Sequence, residues 1–322
     1  MTTAVGIDVS KKTCHIALRH QDGTYAEKVF CNDAKGAKKC ISYLRTRDVS
    51  RETPLVLEST GGYHLLFAMT LRDTHFRGVK VINGILTKKY HKAKVRKTKT
   101  DSVDAKILAD MGIMEKLVPF EETKEQFAQK QRITMLKKLE HVRQKLAGSI
   151  RDIEETASVL GLEVTRQEGS RHILKSIEKE IEQLNQKIVD HQYDPLVELL
   201  AEMPGVSMKN AAIISALMGN KIFGSRDQMV AFAGLDLNVR ESGSSIHGKR
   251  RLSKRGDSFL RKKLFQTAWA LMMNNSYYKA YYDKKRAEGH HYYTCLIAIA
   301  RKFLYRIFAL QKQVQSNNQK LV

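Results

Sequence analysis

The chain has 322 residues, 42% of them hydrophobic and 28% charged, with 56 Lys and Arg against 34 Asp and Glu for a formal charge of +22. It contains no apolar run near the roughly 18 residues of a membrane span, its start "MTTAVGIDVS" lacks the basic then apolar pattern of a signal peptide, and Cys14, Cys31, Cys40 and Cys295 are too scattered for a zinc or dithiol pair. The expectation is a soluble cytoplasmic protein of two or three domains with reduced, packed thiols. Its basic surface suits nucleic acid through counterion release, whereas a membrane-surface role would concentrate charge on one amphipathic helix.

In chain order, "TAVGIDV" (3–9) reads as a short strand ending at Asp8, and "TCHIALRH" as a second strand after the polar "SKK". "AEKVFC" follows as a third strand across the turn "QDG", then "AKGAKKCISYLRTR" as a helix. "PLVLES" is an apolar strand bearing Glu58, "TGGYHLLFAMTLRD" restarts as a helix, and "VKVING" is a further strand. Hairpins followed by strand and helix alternation describe an α/β layer domain ending near residue 115.

The segment "KTKTDSVDAKILAD" (97–110) sets Asp101 and Asp104 three positions apart, on one face of a starting helix. Two carboxylates so close repel and shift each other's pKa unless a cation lies between them. Either a divalent metal or a neighbouring lysine meets that need. Asp8 and Glu58 stand at strand ends, where layered α/β domains gather functional groups, so the four acids can converge. Mg²⁺ takes carboxylate, phosphate and water oxygens, and two such ions can stabilise the attacking and leaving oxygens of a phosphoryl transfer. Any one of these acids alone reads as structural.

From about 125 to 192 the pattern becomes long helices. Leu139, Val142, Leu146, Ile150 and Ile153 step by three or four, as do Ile173, Ile177, Ile181, Leu184 and Ile188. Two helices hinged at "GLEVTRQEG" form either a coiled-coil arm or an ordinary pair packed on a domain core. After "YDP" (193–195), an apolar helix, a P-G-V turn and a second helix with Ala211 and Ala212 resemble a helix-hairpin-helix, whose Gly205 turn can offer N–H groups to phosphate. The same turn also joins helices that touch no ligand.

A second cluster, "NVRESGSSIHGKRRLSKRGDSFLRKKL" (238–264), mixes Ser242, Ser244, Ser245, Ser253 and Ser258 with Arg240, Lys249, Arg250, Arg251, Lys254, Arg255, Arg261, Lys262 and Lys263. It is either a flexible phosphate-binding loop or the seat of an activated serine nucleophile. Tyr277, Tyr278, Tyr281, Tyr282, Tyr292 and Tyr293 have a spacing that suits packing or base stacking better than catalysis. Cations at Lys88, Lys89, Lys92, Lys94, Arg96, Lys97 and Lys99 surround the approach to Asp101 and are expected to hold phosphates.

Through "VGIDVSK", "LEST-GGY", "KTDSVDAKILA", "MPGV", "FAGLDL", "ESGSS", "GKRRLSKRG" and "AYYDKKRAEG", nearly the whole chain resembles the DEDD-type insertion-sequence transposases. That group includes pilin-gene inverting recombinases and bridge-RNA-guided recombinases. The resemblance implies an RNase H-like, RuvC-like α/β metal-binding domain at 1–115, with Asp8, Glu58, Asp101 and Asp104 as its four acids. It implies a helical coiled-coil arm at 116–194 for oligomerisation. It also implies a mainly α transposase domain at 195–322, with a helix-hairpin-helix-like element and Ser242 as nucleophile. The partners so implied are Mg²⁺, double-stranded DNA of element and target, a structured guide RNA, and a homodimer or homotetramer associated with the bacterial nucleoid and not with a membrane.

Two other functions fit less well. A RuvC-like junction endonuclease would hydrolyse DNA with metal-activated water and has no use for the serine loop. A non-catalytic nucleic-acid-binding protein has no use for the four acids.

Overall fold

The short apolar runs of the first eighty residues assemble into a mixed sheet in the computed structural model, which describes residues 1–59, 61–84, 86–87, 90, 100–162, 168–192, 194–219, 221, 223–238 and 251–320. The chain divides into two units, Met1–Thr123 and Lys124–Val322.

In the first unit, β1 (Thr2–Val9) pairs antiparallel with β2 (Thr13–His20), and β2 pairs antiparallel with β3 (Tyr25–Cys31). On the other side β1 runs parallel to β4 (Leu55–Glu58) and β4 parallel to β5 (Val79–Ile82), giving a five-stranded sheet of order β3-β2-β1-β4-β5. This mixed sheet with surrounding helices fits an α/β RNase H-like domain.

Period-two alternation decides what each face holds. Val5, Ile7 and Val9 of β1 are buried on one face. Helix α1 (Ala34–Thr46) covers that face toward β3, its Tyr43 ring 5.7 Å from Phe30. The carboxylate of Asp33 caps α1 by accepting from the Gly36 N–H at 2.6 Å. Ala4, Gly6 and Asp8 face the other way, toward α3 (Asp101–Met114).

Two expectations shift. Helix α2 runs only over Leu65–Thr74, because Gly61 and Gly62 ahead of it adopt φ values of 51° and 103°, outside helical backbone. All four cysteines are free, but Cys31 is exposed at the end of the edge strand while the other three are buried.

The second unit is mainly helical. Helices α4 (Lys124–Val159) and α5 (Glu168–Asp190) reach its core only near one end, through Ile133, Leu136, Leu184 and Ile188. Along the far stretch Val142 and Ile153 are 47% exposed and Ile173 is 54% exposed. Helices α6 (Pro195–Ala201), α7 (Met208–Met218) and α8 (Arg226–Ala233) lead to a two-stranded ribbon, β6 (Leu237–Asn238) and β7 (Arg251–Leu252). Helices α9 (Ser258–Asn274), α10 (Ser276–Ala287) and α11 (Tyr292–Lys320) complete the core. Glu140 of α4 accepts from Lys262 at 2.6 Å and from the buried Lys263 at 2.9 Å, tying α4 to α9. Among the described residues no helix is long and apolar enough to cross a membrane.

Candidate functional site

Asp8 is the next-to-last residue of β1, and the parallel register Ile7↔Leu57 brings Glu58, the last residue of β4, alongside it. Neighbouring strands lie about 4.8 Å apart, so the two carboxylates leave the same sheet end on the same face. Glu58 needs room beyond β5: a Cβ on Gly84 would stand 2.5 Å from its Oε1.

The other two acids arrive on α3. A Cβ on Gly6 would fall 1.9 Å from the Ala105 carbonyl oxygen and 2.4 Å from the Ala109 nitrogen, so the missing side chain lets α3 lie directly on β1. Gly112 continues this seam, with Ala4 and Val56 below it. Thr100 caps the helix by accepting from the Val103 N–H at 3.3 Å, and Asp101 and Asp104 occupy the first turn, where the helix dipole favours negative charge.

The four acids act on one another. Burial pushes the Asp8 carboxyl up to about 6, and the charges of Asp104, Asp101 and Glu58 add to that rise, against a smaller lowering by His15. His15 pairs with Asp8 across β1 and β2, and its Nε2 lies 3.5 Å from Asp101 Oδ2. Among the described residues no three His, Cys, Asp or Glu side chains close around one point as a metal set would. The acids therefore share one end of the sheet while still spread. Carboxylate oxygens are the donor type that a hard divalent cation takes.

A row of polar contacts holds α3 from its other flank. Asp110, 7% exposed, accepts from Arg19 Nε at 3.1 Å and from the Tyr25 hydroxyl. Glu27 of β3 accepts from Lys106 Nζ at 2.7 Å and from the Ser102 hydroxyl. Burial, with the bond to Asp110, pushes Tyr25 up to about 12. None of His15, Arg19, Tyr25, Glu27 and Asp110 stood out in the sequence. The signal was the alternation of β2 and β3, which puts His15, Arg19, Tyr25 and Glu27 on the Asp8 face once the register His15↔Val29, Ala17↔Glu27 and Arg19↔Tyr25 is known.

The serine cluster is described only at its base. Ser242, Ser244, Ser245, Arg240, Lys249 and Arg250 lie outside the described residues, as do Lys88, Lys89, Lys92, Lys94, Arg96, Lys97 and Lys99. At the base, Leu237 pairs with Leu252 and Asn238 with Arg251. The Ser253 hydroxyl donates to Asp236, the Lys254 N–H donates to the Gly234 carbonyl at 3.2 Å, and Arg261 donates to the Gly256 carbonyl at 2.5 Å. Cβ atoms at Gly234 and Gly256 would strike backbone at 2.7 and 2.1 Å, so residues 234 and 256 are pressed together. Lys254 and Arg255 are exposed beside this anchor.

Gly205, at φ 96°, packs against α9, where a Cβ would meet the Ala270 carbonyl oxygen at 2.6 Å. Its turn N–H groups are partly used, the Val206 N–H donating to the Met203 carbonyl at 2.9 Å. Tyr278 is 3% exposed, and Tyr281, Tyr282 and Tyr292 pack on the core, whereas Tyr277 and Tyr293 are 59% and 58% exposed.

Comparison with known proteins adds the following. A family model for DEDD transposases of the IS110 type, described as "Transposase", matches residues 5–158, and one described as "Transposase IS116/IS110/IS902 family" matches residues 197–283. The chain is 27% identical to the pilin gene-inverting proteins of Moraxella bovis and Moraxella lacunata over 318 residues, 97% of this chain and 96% of each relative. It is 32% identical over 117 residues to an uncharacterized 43.6 kDa protein of insertion element IS110 from Streptomyces coelicolor, which covers 36% of this chain and 29% of that relative.

Proposed function

Given that the chain belongs to the DEDD-type insertion-sequence transposases and is an enzyme acting on DNA, we propose that it cuts and rejoins strands through attack by the Ser242 hydroxyl on a phosphodiester held at the carboxylate end of the sheet. The observation that carries this reading is the placement of Asp8 and Glu58 at adjacent strand ends, with Asp101 and Asp104 in the first turn of the helix packed on β1, in a strongly basic protein.

Asp8, Glu58, Asp101 and Asp104 would hold one or two Mg²⁺ ions. Such ions, when bound, neutralise charge on the phosphate oxygens. The lysines from Lys88 to Lys99, the Gly205 turn, and Lys249, Arg250, Arg251, Lys254 and Arg255 would contact the nucleic-acid backbone. Ser242 Oγ forms a bond to phosphorus as the bond to one strand's bridging oxygen breaks, and that oxygen leaves as a free hydroxyl. A hydroxyl of the partner strand then displaces Ser242, so bond energy is conserved through the covalent phosphoserine.

In this reading 1–115 is a RuvC-like catalytic domain, 116–194 an arm that pairs copies into a homodimer or homotetramer, and 195–322 the domain that brings Ser242 to the acids, within one copy or between copies. Double-stranded element and target DNA are the substrates, in the bacterial cytoplasm at the nucleoid. The sequence has no zinc-finger spacing, and in this reading target choice falls to a structured guide RNA.

A hydrolytic junction endonuclease is the second reading, favoured by the fact that the acids alone suffice for metal-activated water. The discriminating test is to trap the reaction on a nicked substrate and map the adduct by mass spectrometry. Wild type is expected to carry DNA on Ser242, and Ser242→Ala to lose the adduct while keeping DNA binding. Cleavage without any adduct supports hydrolysis. An adduct on Ser244, Ser245 or a tyrosine, or an active Ser242→Ala protein, rules out Ser242 as nucleophile.

A further inference from the structure

The sheet face opposite α3 carries a second cationic surface. At the open edge of the sheet, β3 and α1 wall a groove of about 730 Å³ whose lining includes Lys28, Phe30, Lys35, Lys38, Lys39 and Tyr43. Register fixes its side. Phe30 pairs with Cys14 and Lys28 with Ile16, the β2 positions that alternate with His15, so both side chains leave the face away from Asp8. The volume lies within the range of sites that enclose organic ligands, room for nucleotide units and not only for a bare ion.

The charge in this groove is only partly compensated, four lysines standing against one carboxylate, Asp33. Among the described residues none of the four lysines forms an ion pair, although other surface lysines such as Lys106, Lys137 and Lys285 do. The one carboxylate in the lining, Asp33, is committed to capping α1. From residue 34 to residue 47 the chain has Lys35, Lys38, Lys39, Arg45 and Arg47 and no acid.

Two aromatic rings hold Lys28, and one of them also holds Arg47. Lys28 Nζ sits 4.7 Å from the Tyr43 centroid and 5.7 Å from that of Phe30, and the Arg47 guanidinium sits 5.4 Å from Tyr43. Lysine on an exposed edge strand also guards against strand addition. That role explains Lys28, but not three more lysines on the adjoining helix turned into the same groove.

We infer that the β3–α1 groove is a second polynucleotide-backbone site, which binds the phosphates of a nucleic-acid strand on the sheet face away from the acids. It rests on the DNA-acting reading above and extends it, because strand exchange requires segments to be held while others react. The phosphates can belong to DNA or to RNA, and the chemistry of the groove is the same for both.

The test uses the full chain, a variant with Lys28, Lys35, Lys38 and Lys39 all changed to Gln, and its counterpart with all four changed to Arg. Each is titrated with labelled single-stranded RNA, single-stranded DNA and duplex DNA of one sequence across a salt series, with thermal melts to confirm folding. The wild type is expected to give a steep slope of log affinity against log salt. The Gln variant should lose about 3 units of that slope on at least one polymer, at about 0.7 to 0.9 per phosphate contact, and the Arg variant should keep it. Loss confined to RNA assigns the groove to a guide strand, and loss confined to DNA assigns it to element or target. A folded Gln variant with the wild-type slope on all three polymers overturns the groove alone. A wild type with a flat slope on all three overturns the nucleic-acid reading as well.

Discussion

Two helices dock in opposite ways in the two units. Helix α3 meets β1 through missing side chains, Gly6 beneath Ala105 and Ala109, with Gly112 continuing the seam. Helix α4 meets α9 through charge, with Glu140 between Lys262 and Lys263, the latter 4% exposed. The first contact brings backbone against backbone and sets a distance, which is what a cluster of acids at strand ends needs. The second sets a register within an apolar helical core, at a desolvation cost that only a complete set of hydrogen bonds offsets.

The largest effect tests whether the seam serves chemistry. Asp8→Asn is expected to lower strand exchange on the order of 10³-fold or more, because removing one anionic donor removes several kcal/mol of transition-state stabilisation. The same change should raise the melting temperature of metal-free protein by a few degrees above neutral pH. The folded Asp8 pKa of about 6 exceeds its ordinary 3.8, so between those values the folded state binds more protons than the unfolded one. Wild-type stability therefore falls as pH rises through that window and stays lower above it. An Asn variant that melts below wild type at high pH, or retains exchange activity, breaks the link between burial and function.

Next comes the charged contact. Glu140→Gln leaves the Lys263 ammonium buried without its counter-charge and should cost about 3–5 kcal/mol in chemical denaturation. Burial pushes the Glu140 carboxyl up, but the bonds from Lys262 and Lys263 outweigh it and hold the group below the usual carboxylate range. The pair's contribution is thus present at neutral pH and is lost as pH falls through the folded Glu140 pKa. Replacing Lys263 with Met in the Glu140→Gln background should recover much of the loss.

The smallest effect sharpens the seam. Gly6→Ala sets a methyl into the backbone of α3 and should cost about 3 kcal/mol, the upper end of overpacking, with exchange activity falling further than stability alone explains. Wild-type activity in a folded Gly6→Ala protein would show that the spacing of α3 from β1 is not what aligns the acids.

Much of this was legible from local pattern. Strands β1 to β3 follow from short β-type runs and the "QDG" turn, and the start of α3 from the paired acids Asp101 and Asp104. What could not be read is what depends on register between distant segments. Arg19 and Asp110 are 91 positions apart and Ser102 and Glu27 are 75 apart, and no periodicity within either segment announces the meeting. Helix α2 starts later than its sequence pattern indicates: "TGGY" carries no proline to mark the stop, while the positive φ of Gly61 and Gly62 delays the helix. The apolar stripes of α4 and α5 were visible, but which part of each meets a core was not, since Ile133 and Ile153 look alike in sequence while one is 1% and the other 47% exposed.

The seam beneath α3 is short of interlocking side chains. Elsewhere interlocking knobs resist sliding of a helix along its own axis, but Gly6, Ala105, Ala109 and Gly112 offer few. Ile107, Leu108 and Met111, packed with Val56 and Ile82, resist travel on one side, and two ion pairs add to them, Glu27 with Lys106 toward the front and Asp110 with Arg19 toward the rear. The front pair is the wetter of the two, its side chains 39% and 34% exposed against 10% and 24% at the rear, so dissolved salt weakens it first. Added salt is therefore expected to loosen the contacts at the helix end that carries Asp101 and Asp104 before those at the other end, as well as the grip on a polyanion.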